Sequence, residues 1–85
     1  MFNINYSNQA LSFLNKADKA LSERIIKKIE SLKEKPITSD TKSIHGYKEK
    51  LFRARVGDYR IIYEVDYSNN IIGIVKIDKR ERVYD

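Results

Sequence analysis

Arginines placed on alternating positions around one tight turn carry the first chemical signal in this sequence. Residues 51–65 read LFRARVGDYRIIYEV, with Gly57-Asp58 supplying a two-residue turn of the glycine-first type between two alternating runs. Counting outward from that turn, Val56 faces Tyr59, Arg55 faces Arg60, Ala54 faces Ile61, Arg53 faces Ile62 and Phe52 faces Tyr63. Because side chains alternate across a strand, Phe52, Ala54, Val56, Tyr59, Ile61, Tyr63 and Val65 share one face, which suits a core. Arg53, Arg55, Arg60 and Glu64 share the other. Like charges directly across a strand pair cost roughly some tenths of a kcal/mol, so Arg55 opposite Arg60 does nothing for the fold. An anion held between the two guanidinium groups would reverse that sign, and phosphate is the common anion that such forks recognise. The alternative is that both side chains splay into water.

The rest of the chain has to supply a support for that hairpin. Eighty-five residues suffice for one domain, able to bury roughly 60 to 65% of its unfolded surface. The absence of cysteine excludes disulfides and thiolate metal sites and is compatible with a reducing compartment. No apolar run reaches the length of a membrane span, and Met1-Phe2-Asn3-Ile4 enters a strand-like pattern without a signal-peptide charge block, so a cytoplasmic location is expected. Seventeen Lys plus Arg against twelve Asp plus Glu give a net charge of +5. That excess suits nucleic acid or an acidic partner.

Phe2 to Tyr6 alternates and predicts a short strand. Ser7 is a good N-cap for a helix with apolar positions Ala10, Leu11, Leu14 and Ala17, and Asp18 for a second with Leu21, Ile25, Ile26, Ile29 and Leu32, running to Lys35 before Pro36. Their stripes can cover the apolar face of the hairpin as an αα-hairpin. The charged face of the second helix, with Lys27, Lys28, Glu30, Lys33 and Glu34, reads most simply as solvated. Residues 36–50 are polar and read as a long connection. His45, the only histidine, sits beside Gly46 as a turn residue. No histidine, cysteine or carboxylate cluster has metal spacing, and no phosphate loop or GxSxG elbow occurs, so neither metal nor cofactor is expected.

Ile71 to Arg80 predicts a further strand whose aliphatic start suggests cover on both faces. With Ser68-Asn69-Asn70 as a three-residue loop, Val65 faces Gly73, Tyr63 faces Val75 and Ile61 faces Ile77, which sets Lys76, Asp78 and Arg80 on the face of Arg53, Arg55 and Arg60. A loop of even length would turn Lys76 and Asp78 into the core, which is costly for unpaired charges, so the odd loop is expected. On this register an acidic amphipathic helix could dock over the basic face and aliphatic surface around Ile72 and Ile74. The fold class is α+β: a short N-terminal strand and an αα-hairpin packed on an antiparallel-rich sheet with a C-terminal three-strand meander.

This order of elements, with GDYRIIYEV followed by KRERVY, resembles the RelE/ParE superfamily of toxins from type II toxin–antitoxin pairs across residues 1–85, most nearly its RelE branch. The resemblance implies a single RelE-like domain, a RelB-like antitoxin as partner, and cleavage of mRNA in the ribosomal A site. It maps the arginine of the YR motif onto Arg60, the first arginine of the KRER motif onto Arg80 and a late tyrosine onto Tyr84, and makes these with Arg53 the expected catalytic residues. Arg55, Lys50, Lys79 and Arg82 are the expected RNA or phosphate contacts. Two departures stand out: Leu51 and Arg53 occupy strand positions where the branch has lysines, and Tyr84 follows KRER sooner.

Metal-free RNA cleavage needs attack of the 2′-hydroxyl on its own phosphate, with cations to stabilise the charge gathered on phosphorus. Arginines meet that need, and a tyrosine among cations can stack on a base or move a proton. No ordinary general base accompanies them, so positioning by the ribosome would have to contribute. Two other classes stay open: a ParE-like inhibitor of DNA gyrase, and an RNA-binding domain without catalysis in which the arginines hold backbone phosphate only.

Overall fold

The computed structural model describes residues 1–38, 41–44 and 51–79. Along these the elements are β1 (Asn3–Tyr6), α1 (Asn8–Lys16), α2 (Lys19–Leu32), β2 (Lys42–Ile44), β3 (Leu51–Val56), β4 (Tyr59–Asp66) and β5 (Ile71–Lys79). The strands form one sheet in the order β1-β5-β4-β3-β2, with β1 parallel to β5 and every other pairing antiparallel.

Both helices start where their caps dictate. Ser7 Oγ accepts from the Ala10 amide at 3.1 Å, and Asp18 Oδ1 from the Leu21 amide at 2.8 Å, each satisfying a donor that the first helical turn leaves open. The Ser22 hydroxyl donates to the Leu14 carbonyl at 2.7 Å and ties the two helices together. The second helix ends at Leu32, the last residue of its apolar stripe, and not at Lys35. Its buried residues Ile25, Ile29 and Leu32, with Ala10 of α1, pack on Ala54, Ile61, Tyr63, Ile72, Ile74 and Ile77 of the sheet. Each of these large aliphatic side chains contributes about 1.5–3 kcal/mol on burial. Tyr63, fully buried, donates its hydroxyl to the Pro36 carbonyl at 2.5 Å and so anchors the segment leaving α2.

The β3–β4 hairpin has the register read from its turn: Val56 pairs with Tyr59, Arg55 with Arg60, Ala54 with Ile61 and Phe52 with Tyr63. Gly57 takes φ +58°, a conformation that side chains with a Cβ adopt at a cost. The predicted long connection contains a strand, β2, which adds to β3 by pairing Lys42 with Arg53. A three-residue strand was hard to read because Lys42-Ser43-Ile44 offers too little alternation to stand out from its polar surroundings.

The β4–β5 loop corrects the expected register. Asp66 pairs with Ile71, so the loop is Tyr67–Asn70, four residues and not three. Asp66 accepts from the Asn69 side chain at 2.8 Å and its backbone amide at 3.1 Å. These bonds, the side-chain one foremost, hold its carboxyl below the usual aspartate range. Asn70 closes the loop at φ +56°. An even loop should have inverted β5, yet Lys76 and Asp78 stay on the outer face because the register shifts once more: Tyr63 pairs with Ile74 and Ile62 with Lys76, leaving Val75 as a β-bulge. Beyond the bulge Ile61 pairs with Ile77 as expected. Before it the phase is reversed, so Ile72 and Ile74 are core residues and cannot form the partner surface expected from sequence. Val75, 39% exposed, is the aliphatic of that run that reaches solvent.

The far edge of β5 is closed by side chains where β1 runs out. The Ser7 hydroxyl donates to the Val75 carbonyl at 2.7 Å, and the Gln9 amide both donates to the Ile77 carbonyl and accepts from the Ile77 N–H, each at 2.8 Å. One glutamine thus replaces a neighbouring strand for Ile77. Gln9→Ala should destabilise the protein by about 1–2 kcal/mol, since both partners lose their bonds. Replacement of the exposed neighbour Ser12 by Ala should leave the urea midpoint almost unchanged. Equal midpoints for the two variants would contradict this role.

Candidate functional site

Antiparallel pairing converts the sequence register into two rows of residue positions, which lie on the open side of the sheet apart from Arg55, whose side chain lines a hollow beside α2. One row runs Lys42, Arg53, Ile62, Lys76 from β2 to β5, and the next runs Arg55, Arg60, Asp78 from β3 to β5. Between these rows lies a depression of about 310 Å³ with an apolar floor of Leu51, Ile62 and Val75, ringed by Arg53, Arg60, Lys76 and Asp78. Three cations face one carboxylate there, beside flat aliphatic surface, an arrangement that can take a phosphate together with the base attached to it.

Asp78 organises this depression. The Arg60 Nε donates to Asp78 Oδ1 at 2.7 Å and Nη2 reaches Oδ2 at 3.4 Å, a side-on pairing of fork and carboxylate. Both side chains are 23% exposed, so water screens the pair less than it would on an open surface. The Lys76 Nζ approaches Asp78 Oδ2 at 3.4 Å from a more exposed position. Arg60 therefore stands between Arg55 on one strand and Asp78 on the other. The repulsion read from sequence is real in register, and the carboxylate across β4–β5 offsets it. Sequence reasoning placed Asp78 on this face but gave it no role. The signal available was the bare opposition of Arg60 and Asp78, which the expected pairing of Ile61 with Ile77 already contained.

Among the sequence-predicted residues, Arg53 and Arg60 share the depression. Arg55 is the register partner of Arg60 but lines a different hollow, beside α2. Lys79 pairs with Tyr59, whose ring packs edge-on against Phe13 at 5.7 Å on the helix side, so its register position is on the opposite face. Lys50, Arg80, Arg82 and Tyr84, and the turn position of His45, lie outside the described residues. Lys42 joins the basic face through β2 and was missed because its segment read as a connection. Away from this face, burial raises the Tyr6 phenol above its ordinary range; nearby Glu30 adds to the effect and Lys33 opposes it.

Comparison with known proteins agrees with this architecture. The model of the ParE toxin family of type II toxin–antitoxin systems matches residues 4–84. A Methanocaldococcus jannaschii protein named as a RelE1 toxin is 31% identical over 85 residues, 98% of this chain and 94% of that protein. RelE in the archaeal RelE–RelB complex from Pyrococcus horikoshii superposes with a TM-score of 0.83 at 29% identity, covering 96% of this chain and 98% of that one. The isolated Escherichia coli RelE toxin has the same fold, with a TM-score of 0.82 at 20% identity over 99% of this chain and 89% of that one. The chain belongs to the RelE/ParE superfamily of type II toxin–antitoxin toxins, on its RelE branch.

Proposed function

We propose that this chain is a ribosome-dependent mRNA endonuclease of the RelE type, neutralised by a RelB-like antitoxin and acting in the cytoplasm. The observation that carries this reading is the Arg60 guanidinium, fixed by Asp78 inside a depression that also holds Arg53 and Lys76. Catalysis of this kind needs cations set in place before charge develops, because reorganising them during the reaction would consume their effect. The 2′-hydroxyl of the A-site nucleotide attacks its adjacent phosphorus and gives its proton to water, the bond from phosphorus to the 5′-oxygen breaks, and that oxygen takes a proton from water, so a cyclic phosphate and a 5′-hydroxyl result. Arg60 and Arg53 stabilise the extra negative charge on the phosphorane, with Arg80 and Tyr84 joining them on the family's pattern. The carboxylate of Asp78 is engaged by Arg60 and Lys76, which suits it to positioning. Alignment of the 2′-hydroxyl then falls to the ribosome, and free RNA is a poor substrate.

The partner follows from the same face. Val75 and Ile62 offer aliphatic contact inside a basic rim, a surface fitted to an amphipathic segment with carboxylates along its edge. The P. horikoshii relative was solved with RelB bound. A second reading, inhibition of DNA gyrase, draws on the match to the ParE family model. A supercoiling assay run beside ribosomal cleavage separates the two.

Single-turnover cleavage on programmed ribosomes at saturating protein tests the catalytic assignment. Arg60→Ala should lower the rate by about 10² or more with ribosome affinity nearly unchanged. Arg60→Lys should recover only part of it, since an ammonium lacks the fork. Cleavage at the parental rate by Arg60→Ala would remove this arginine from the chemistry.

The ion pair makes a separate prediction about stability. Asp78→Ala should cost about 1–2 kcal/mol by removing the carboxylate that faces a partly buried Arg60 across β4–β5. Lys76→Ala, at 55% exposure, should cost less than about 0.5 kcal/mol. Urea denaturation decides, and the reverse order would contradict the assignment of Asp78 to Arg60.

A further inference from the structure

We propose that Glu64 is a specificity-determining residue: its carboxylate accepts a hydrogen bond from the exocyclic amino group of the base that lies on the floor of the depression, and so disfavours uracil. The ligand rests on the endonuclease reading above, and the geometry on the register of the sheet. Glu64 pairs with Leu51 on β3 and with Gly73 on β5, one row along from Arg53, Ile62 and Lys76. Leu51 belongs to the apolar floor, so Glu64 stands directly across the strand pair from it. Side chains so opposed have their Cβ atoms roughly 5 Å apart, and the next position on the same face of a strand lies about 7 Å on. A base whose phosphate is held by Arg60 and Lys76 and whose ring lies on Leu51, Ile62 and Val75 therefore turns its outer edge toward Glu64.

The glycine across β4–β5 keeps the carboxylate close to the sheet. A Cβ on Gly73 would stand 3.0 Å from Oε1 of Glu64 and 3.2 Å from its Cγ, so this side chain lies against bare backbone on the open face. It is partly buried there, and among the described residues it has no hydrogen-bond or ion-pair partner. Asp78, the acid at the other end of the depression, is engaged by Arg60 and Lys76. Glu64 thus keeps its lone pairs for a ligand. A carboxylate accepts hydrogen bonds and donates none, so it takes the amino group of cytosine, adenine or guanine. On uracil it meets an imino N–H flanked by two carbonyl oxygens, which repel it.

NMR titration of the ¹⁵N-labelled full chain with cytidine 5′-monophosphate and, separately, uridine 5′-monophosphate tests the proposal without the ribosome. The cytidine nucleotide should bind about fivefold more tightly, with amide shifts at Leu51, Ile62 and Gly73. Glu64→Gln should bring the ratio of affinities close to one, since an amide both donates and accepts. An unchanged ratio in that variant would overturn the assignment and leave the carboxylate to a cationic side chain of a protein partner. Equal affinity for the two nucleotides in the parent protein, or shifts with neither, would overturn it as well, so the parent decides should the variant fail to fold. A chain that selects the cytidine nucleotide but leaves A-site mRNA intact would refute the endonuclease reading and not this one. Cleavage of A-site mRNA by a chain that binds both nucleotides alike would refute this one alone.

Discussion

The hydrogen bonds from Ser7 and Gln9 to the edge of β5 let that strand carry a bulge at Val75 without abandoning backbone groups beyond the reach of β1. The consequence reaches both sides of the sheet. Before the bulge the strand turns Ile72 and Ile74 toward the helices, and after it Ile77 alone continues inward, so Lys76 and Asp78 emerge on the open face. Had the ladder continued without the extra residue, the four-residue loop would have sent an ammonium and a carboxylate into the core. The cost of that burial exceeds the cost of one bulge, which is a local loss of pairing. Ser7 contributes twice, since the same hydroxyl caps α1 and receives the bulge carbonyl as partner.

The hairpin was legible because its two-residue turn fixes register over both strands, leaving only one way to distribute Arg53, Arg55 and Arg60 against Ala54, Ile61 and Tyr63. The caps at Ser7 and Asp18 were legible for the same reason: a short polar side chain before an apolar stripe has one efficient use. In β5 the reasoning reached the right outer residues through a wrong loop length, with two departures of one residue each cancelling beyond Val75. A run of alternating-blind aliphatics, Ile71-Ile72-Gly73-Ile74-Val75, carries no marker of where the phase changes, so the bulge was invisible. The interaction that fixes it comes from Ser7 and Gln9, residues almost the whole chain away, and no local pattern encodes that. The ion pair of Arg60 with Asp78 was within reach, because the expected pairing of Ile61 with Ile77 already sets the two opposite each other, but the opposition was given no role. A clash between Arg55 and Arg60 could be counted from the turn, whereas its relief depended on the neighbouring strand.

Electrostatics then divides the basic surface in two. On the open face, one carboxylate spends its lone pairs on Arg60 and Lys76 and gives a guanidinium a fixed place over an apolar floor. Beside α2, four cations, Arg24, Lys27, Lys28 and Arg55, line one hollow. The first arrangement suits chemistry, where placement before the reaction decides the rate. The second suits adhesion to a polyanion, where the number of charges decides affinity and its sensitivity to salt.

The central claim is that Asp78 holds Arg60 in place before any substrate arrives. Solvent exchange of the Arg60 Nε–H, followed by ¹⁵N-resolved NMR on the free protein, tests it most directly. The account predicts exchange much slower than for an exposed arginine such as Arg24, and clearly faster exchange in Asp78→Ala than in the parent protein. Exchange in the parent protein as fast as at Arg24 would show that the guanidinium is not held, and would contradict the account.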